Sequence, residues 1–411
     1  MGHSRRLCIA IVHNRDFSAE DDPEFASRAD VENAARDIAR ALTDAGHDVT
    51  LMAAPDDCAA AAQLVADLQA SPPDLVFNLC ESLAGDARHE TLLPSLLELA
   101  GIAYSGSGPL ALGTALRKDR CKAILRAHGV PTPAGFVSDG KLPPAAELPP
   151  FPLIVKPSRE DASTGIWLRS VVHDVPSLAE RVREIVARYR QPALVEPFIV
   201  GRELYVSLVG NGAALEALPM HEVDFSAMPG GAPAIVTYDG KWDPASQEYK
   251  GTRSIKAEQL DDAMRARCHE VARAAFRALE LRDYARVDLR LDGDGVPWVI
   301  DVNPNCDLSD GAGVCRAASF GGLTYRDLIV RVVAAAMTRH QQESPHVVGE
   351  RAASPKLDAR QALAIAGAGA GVDSPAAAAR SRAAASAVDE GRTVHARGGL
   401  GRARADRRRA R

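Results

Sequence analysis

Residues 286–305, RVDLRLDGDGVPWVIDVNPN, constrain the fold of this chain more than any other stretch. Two runs of alternating apolar and polar residues flank a DGDG turn, which predicts an antiparallel hairpin with one face on a core. We expect a two-residue loop within DGDG. The apolar face is then formed by six side chains: Val287, Leu289, Leu291, Trp298, Ile300 and Val302.

The polar face of this hairpin carries Asp288 on the first strand and Asp301 and Asn303 on the second. The tight turn would bring Asp288 close to Asp301, with Asn303 one step along the strand. Three oxygen ligands, two of them anionic, are typical of Mg²⁺ or Mn²⁺ bridging substrate phosphates. A solvated hairpin face is the alternative interpretation of the same pattern.

The first part of the chain alternates between predicted strands and helices. Residues 6–14 and 74–81 are short apolar runs typical of buried strands, and 30–52 predicts a helix followed by a second strand. Residues 91–108 predict a further helix and the start of a strand. This β-α-β-α order predicts a parallel, doubly wound α/β domain that ends near residue 115.

The middle of the chain contains a second set of predicted elements. Four helices are predicted, over 118–128, 177–190, 261–281 and 324–338. Three further strands are predicted, over 151–158, 193–201 and 203–211. A Pro-rich connector covers 143–152, and a long loop region is expected from 211 to about 255.

From residue 341 the composition changes to Ala, Arg and Gly with almost no large apolar side chains. Such a segment cannot bury enough surface to offset the entropy of ordering it, so we predict a disordered tail over 341–411. An extended reading frame in a GC-rich gene and a nucleic-acid-binding arm are the alternatives.

Composition narrows the functional classes. The chain has 411 residues and a formal net charge of −5, which argues against nucleic-acid binding by the folded core. Its seven cysteines form no CxxC pair, which favours a reducing compartment over a disulfide scaffold. The first apolar run is only a strand long, so we expect no signal peptide, no membrane span and a cytoplasmic protein.

Two further segments carry chemistry. FPLIVKPSREDASTGI (151–166) is a strand ending at Lys156 and a small-residue loop with Ser163, where a lysine and backbone N–H groups could contact phosphate oxygens. A surface lysine beside a turn is the alternative. LVEPFIVGRELYVSLVG (194–210) places Glu196 and Glu203 on either side of a short crossing segment. This segment could bind a flat base and ribose hydroxyls. Two solvated carboxylates are the alternative interpretation.

Taken in order, Lys118, VKPS, EPFIVGRE and IDVNPN resemble the ATP-grasp superfamily over about 115–335. With YSGSG (104–108), the chain resembles the D-alanine–D-alanine ligase branch over about 1–340. The resemblance implies an α/β fold in three parts and a homodimer. These parts are a Rossmann-like pre-ATP-grasp domain over 1–115 and the two lobes of an α+β ATP-grasp domain over 116–192 and 193–340.

The resemblance also implies roles for individual residues. Lys118, Lys156 and Ser163 would contact nucleotide phosphates, and Lys241 of YDGKWD would reach them from a mobile loop. Arg286 would lie beside the reacting acyl group. The adenosine contacts would be Glu196, Phe198, Ile199 and Glu203. The ligands of two metal ions would be Asp288, Asp301 and Asn303, with Asp301 where the family has Glu.

The substrate pocket departs from the family pattern. The glutamate, serine and tyrosine that surround the first substrate are matched here by Arg28 or Asp30, by Ala162 and by Trp242. The family's His-Gly pair becomes Cys80-Glu81, and its Asn-Thr-Ser-Pro-Gly ending becomes NPNCDLSDGAG. The candidates for a different pocket are Arg28, Glu81, Glu90, Asp307 and Ser309.

We therefore expect an ATP-dependent carboxylate–amine ligase that forms an amide or peptide bond through an acyl phosphate. ATP and Mg²⁺ or Mn²⁺ would be its cofactors, and a small carboxylate and a small amine its substrates. A true D-alanine–D-alanine ligase is the first alternative. An ATP-grasp kinase or a non-catalytic ATP-binding protein is the second.

Overall fold

The structure, a computed structural model, describes residues 5–14 and 25–343, and the side chains of 25–30 lie outside that description. Its first sheet is parallel, as predicted, with the order β2-β1-β3. The strands are β1 (Cys8–His13), β2 (Asp48–Ala53) and β3 (Leu75–Leu79). Between them run α1 (Phe25–Asp44) and α2 (Cys58–Ala70).

Local signals explain where α1 ends and where α2 begins. Gly46 follows α1 with φ +91, a left-handed conformation that glycine adopts without a steric penalty. Asp57 caps α2, since its side chain accepts a hydrogen bond from Ala60 N at 2.7 Å. Three helices follow: α3 (Leu92–Leu99), α4 (Pro109–Leu116) and α5 (Lys118–Ala127).

A four-stranded antiparallel sheet forms the next layer, in the order β4-β7-β5-β6. Its strands are β4 (Phe136–Ser138), β5 (Leu153–Pro157), β6 (Val171–Val172) and β7 (Ala193–Pro197). Helix α6 (Val175–Tyr189) covers one face of this sheet with Leu178, Val182 and Ile185, all fully buried. The apolar spacing of these three residues is that of one helix face.

A six-stranded sheet follows, in the order β11-β10-β8-β12-β13, with β9 paired to β8. Its strands are β8 (Arg202–Val209), β9 (Glu216–Ala217), β10 (His221–Asp224), β11 (Arg253–Lys256), β12 (Tyr284–Leu291) and β13 (Pro297–Asn303). Its helices are α7 (Tyr238–Trp242), α8 (Gln247–Gly251) and α9 (Asp262–Ala278). The prediction of one long loop from 211 to 255 was therefore wrong.

The hairpin of β12 and β13 was predicted correctly in its pairing and wrongly in its details. Asp288 lies opposite Asp301, as expected. However, the loop between the strands covers residues 292–296, and a bulge follows Asp288, where the register shifts. The bulge reverses the alternation, so Ile300 and Trp298 lie on the polar side, while Val299 is buried in their place.

The chain then returns to the first sheet through α10 (Gly313–Phe320) and α11 (Tyr325–Glu343). Leu328 and Val332 of α11 share one core with Ile11 and Phe77 of the parallel sheet. Because α11 continues to Glu343, residues 341–343 belong to a helix and not to the predicted tail. The rest of that predicted tail, from residue 344, lies outside the described residues.

Within residues 5–14 and 25–343 we find no helix with both the length and the apolar character needed to cross a membrane.

Candidate functional site

A cavity of about 430 Å³ opens between the four-stranded and six-stranded sheets. Strands β5 and β7 line one side, and β8, β10, β12 and β13 line the other. The cavity lining includes every residue predicted to contact the nucleotide, the metal or the reacting group: Lys118, Lys156, Ser163, Glu196, Phe198, Ile199, Glu203, Lys241, Arg286, Asp288, Asp301 and Asn303. Residues far apart in the sequence are thus brought to one enclosed space.

One end of the cavity combines a flat apolar surface with buried carboxylates. Arg290 lies 4.8 Å from the centre of the Phe198 ring and 3.1 Å from Glu203 Oε2. Tyr205 donates a hydrogen bond to Glu203 Oε1 at 2.8 Å. Burial raises the pKa of Glu203, while the charge of Arg290 opposes that rise. This end can hold a planar base beside hydrogen-bond acceptors.

Glu196 stands between two buried lysines. Lys122 Nζ lies 2.9 Å from Glu196 Oε1, and Lys156 Nζ lies 3.3 Å from Glu196 Oε2. Burial lowers the pKa of Lys122, and Glu196 opposes that effect. Lys122 therefore holds the Glu196 carboxylate in place from behind, and Lys156 remains on the cavity side.

Lys118 joins two segments of the cavity wall. Its ammonium group donates to Asp161 Oδ1 at 2.8 Å and to both oxygens of Asp301 at 2.9 Å. The residue is 4% exposed, and burial disfavours its charge, but the two carboxylates raise its pKa above the ordinary value. The lysine is therefore a fixed positive charge in the cavity lining.

A loop over residues 158–166 covers this charge. Ala162 and Ser163 both have positive φ, 53 and 63, which side-chain-bearing residues adopt only under strong constraint. One constraint is a hydrogen bond from Trp242 Nε1 to the Ala162 carbonyl at 3.0 Å. A second is the 2.8 Å bond from Tyr238 N to the Ile166 carbonyl. Helix α7 thus fastens the loop over the cavity.

The paired aspartates are the residues that the sequence assigns to a cation site. Asp288 accepts from Arg286 Nε at 2.7 Å and from Asn303 Nδ2 at 3.2 Å, and Asp301 lies directly across the hairpin. In the described part of the chain no three His, Cys, Asp or Glu side chains form a metal-binding group. The predicted set needs only two carboxylates and an amide, and these hard oxygen donors suit Mg²⁺ or Mn²⁺.

Lys241 lines the same cavity as Arg286. Its ammonium group is 4.9 Å from the centre of the Trp242 ring, a cation–π contact. Lys241 is solvent-exposed by its accessible surface; desolvation of its ammonium group, followed by the charge of Arg286, acts to lower its pKa. Asp307 and Glu81 act against this effect, which indicates that they lie nearby.

The candidates for an altered pocket divide into three groups. Glu81 and Asp307 line the cavity. Glu90 and Ser309 do not appear in its lining: Glu90 is buried 3.5 Å from Asn305 Nδ2, and Ser309 donates to Asp307 at 2.5 Å. The side chain of Arg28 lies outside the described residues, as does that of Asp30.

The residues of the site that were not predicted from the sequence include Lys122, Asp161, Tyr205, His221, Arg290 and Arg316. Lys122 could have been found, because it follows Lys118 by four residues and therefore lies on the same helix face. His221 lies on β10, a strand that was not predicted. Arg290 lies on β12 of the predicted hairpin, but no role was assigned to it.

Comparisons with known proteins agree with this geometry. Residues 144–334 match the family model for the D-ala D-ala ligase C-terminus. A protein of Sinorhizobium fredii described as uncharacterized protein y4sG is 36% identical over 74% of this chain and 87% of its own length. A D-alanine–D-alanine ligase of Bordetella petrii is 32% identical over 73% of this chain and 85% of its own length.

Solved structures show the same fold. The D-alanine–D-alanine ligase from Bacillus anthracis, complexed with ATP, matches with a TM-score of 0.61 and 21% identity, covering 83% of this chain and all of that chain. The sequence relatives and the family model also assign the chain to a protein family. The chain belongs to the D-alanine–D-alanine ligase family of ATP-grasp proteins and is an ATP-dependent ligase that forms a C–N bond.

Proposed function

We propose that this chain uses ATP to join the carboxylate of one amino-acid-like substrate to the amine of another. The observation that carries the proposal is the set of groups brought together in one cavity. Phe198 and Glu203, the lysines Lys118 and Lys156, and Arg286 all line it. Lys118 bonds to Asp301, which lies across the hairpin from Asp288, the partner of Arg286.

The reaction would proceed in two displacements. An oxygen of the donor carboxylate attacks the γ-phosphorus of ATP, and ADP leaves as the acyl phosphate forms. The amine nitrogen then attacks the acyl carbon, loses a proton, and phosphate leaves. Lys118, Lys156 and Lys241 are positioned to balance the charge on the transferred phosphoryl group, because all three line the cavity.

Arg286 would hold the oxygen that becomes negative during the second displacement. Its guanidinium is fixed by two hydrogen bonds to Asp288, at 2.7 and 2.9 Å, and by the Tyr205 ring 4.9 Å away. A donor fixed in advance costs little reorganisation as charge develops. The loop over 158–166 would keep water from the acyl phosphate.

We assign a divalent cation, Mg²⁺ or Mn²⁺, to Asp288, Asp301 and Asn303. These residues would hold the cation, which would supply charge neutralisation for phosphoryl transfer. In this arrangement Lys118 and Arg286, which pair with the two aspartates, hold the carboxylates in position.

D-Alanine is the second candidate substrate, because relatives at 32% and 34% identity are D-alanine–D-alanine ligases. Trp242, Ala162 and Asp307 favour a different pair of substrates, since the resemblance assigns other residue types to those positions. We further propose that the reaction takes place in the cytoplasm, where ATP is supplied, and that the chain forms a homodimer.

The test is phosphate release from ATP with Mg²⁺ and pooled D- and L-amino acids, with products identified by mass spectrometry. We expect release that needs both a carboxylate and an amine, and an amide product. Release that never depends on an amine would favour a kinase. No release with any pool would favour a non-catalytic ATP-binding protein, and a requirement for D-alanine alone would select the second candidate.

A further inference from the structure

Arg290 of β12 is a buried cation in the wall of the cavity. The residue is 3% exposed and stands directly opposite Glu203 of β8, so the two side chains lie on the same face of the sheet. On its other side Glu203 stands opposite Val223 of β10, an apolar residue that also lines the cavity. Arg290 is therefore the charged cross-strand neighbour of Glu203.

The guanidinium group of Arg290 spends its donors on the protein. Nη1 donates to Glu203 Oε2 at 3.1 Å and to the Ala234 carbonyl at 2.9 Å. Nη2 donates to the Gly201 carbonyl at 3.1 Å and to the Ala234 carbonyl at 2.9 Å. The Phe198 ring packs against the group, and Nε is buried without a partner among the described residues. A ligand in the cavity therefore meets Glu203 and not the N–H groups of Arg290.

Glu203 is held at both of its carboxylate oxygens. The Tyr205 hydroxyl donates to Oε1 at 2.8 Å, and Arg290 binds Oε2. An ionised carboxylate has about four lone-pair sites, two on each oxygen. Each oxygen of Glu203 can therefore accept one further hydrogen bond from a ligand. Two neighbouring hydroxyl groups, as on a ribose, match this pair of acceptors.

The charge of Arg290 also keeps Glu203 an acceptor. Burial raises the pKa of Glu203, and the charge of Asp288 acts in the same direction. Arg290, the hydrogen bond from Tyr205 and the charge of Lys156 act against that rise. Without Arg290, more of the Glu203 carboxyl would be protonated. A protonated carboxyl donates an O–H and has less acceptor capacity.

We propose that Arg290 is a positioning residue that sets the sugar specificity of the nucleotide site, because it holds Glu203 as an oriented, ionised acceptor for ribose hydroxyls. The inference rests on the proposed function, since it takes the adenosine of ATP to lie at Phe198 and Glu203. It adds that ribonucleotides are selected over deoxyribonucleotides through an arginine that contacts only protein groups.

The test compares matched nucleotides binding to the full-length protein with Mg²⁺, by calorimetry. The probes are a non-hydrolysable ATP analogue and its 2′-deoxy and 3′-deoxy forms. At least one deoxy form should bind the unaltered protein roughly tenfold more weakly, as for the loss of one hydrogen bond to a charged group. Arg290→Met should bring this ratio close to one. Raising the pH from about 6 to about 9 should restore part of the ratio in the variant, because Glu203 ionises again.

Further variants separate positioning from direct contact. Arg290→Lys keeps the charge and should keep part of the ratio. Glu203→Gln should also bring the ratio close to one, and adding Arg290→Met should then lower it no further, because both changes act on one acceptor. The matched control is Arg202→Met. Arg202 binds Glu222 through two hydrogen bonds, 2.7 and 2.5 Å long, in the same sheet but does not line the cavity, so this variant should keep the full ratio.

An Arg290→Met variant that binds all three analogues more weakly by the same factor would overturn the inference. Equal binding of the three analogues by the unaltered protein would do so as well. If circular dichroism shows that Arg290→Met does not fold, Arg290→Lys and Tyr205→Phe decide: each should lower the ratio, and an unchanged ratio in both would refute the role of Arg290. If no analogue binds at all, the proposed function itself fails, and the inference fails with it.

Discussion

We predict that Trp242→Phe lowers the population of the closed form of the loop over residues 158–166. The phenyl ring can still pack beneath Lys241, but the hydrogen bond from Trp242 Nε1 to the Ala162 carbonyl, 3.0 Å long, is lost. One such bond contributes about 1 kcal/mol. The closed form of the loop should therefore be roughly fivefold less populated relative to the open form.

This loss should appear in two measurements. Calorimetric titration with a non-hydrolysable ATP analogue should show an affinity lower by up to about fivefold, because the closed form binds the phosphates; the full factor is reached when the open form predominates in the free protein. Turnover should also become less well coupled, with more phosphate released per amide formed, because water reaches the acyl phosphate.

Trp298→Phe is the matched control. Trp298 also donates an indole N–H, to Asp292 Oδ2 at 2.7 Å, but it lies on the hairpin and not in the cavity lining. We expect this variant to bind the analogue as the unaltered protein does. Equal affinity and coupling in Trp242→Phe would refute the fastening of the loop by this bond.

Three other changes have defined outcomes. Asp301→Asn should reduce Mg²⁺-dependent turnover more than a hundredfold with the circular dichroism spectrum unchanged. The control Asp294→Asn, in the exposed turn, should have no effect. If Asp301→Asn is as active as the unaltered protein, Asp301 does not belong to the cation site. Burial raises the pKa of Glu90 well above its ordinary value, so the folded protein should lose stability as pH rises above the pKa of this group in the unfolded chain. Glu90→Gln should remove this loss. Thermal unfolding between about pH 5 and pH 8 measures it. Arg339→Met should cost about 3 kcal/mol in urea unfolding, because Asp283, fully buried and 2.9 Å away, loses its cation; a cost near zero would contradict that role.

Much of the cavity was predictable because strand alternation and motif order are local properties. The pairing of Asp288 with Asp301 follows from the apolar period of the two strands. It was predicted correctly although the predicted loop length was wrong. The bulge did not follow from the pattern, because Ile300 is as apolar as a core residue. Its displacement to the cavity side depends on how the sheet twists around it.

The missed strands show a different limit. Residues 221–224 read His-Glu-Val-Asp, four residues with two charges, and Pro and Gly residues follow soon after. Only the buried positions of His221 and Val223, two apart, reveal the period of a strand. The bond from Trp242 to Ala162 is beyond sequence reasoning altogether, since it joins a side chain to a carbonyl 80 residues away.

The central claim, an acyl phosphate formed at this cavity, is tested most directly with amino acids whose carboxylates carry ¹⁸O. The full-length protein, ATP, Mg²⁺ and the labelled pool are incubated, and the released phosphate is analysed by mass spectrometry. Attack by a carboxylate oxygen on the γ-phosphorus, followed by amide formation, transfers one ¹⁸O to each phosphate. We predict singly labelled phosphate in proportion to the amide formed. Unlabelled phosphate accompanying an amide product would contradict the acyl phosphate mechanism.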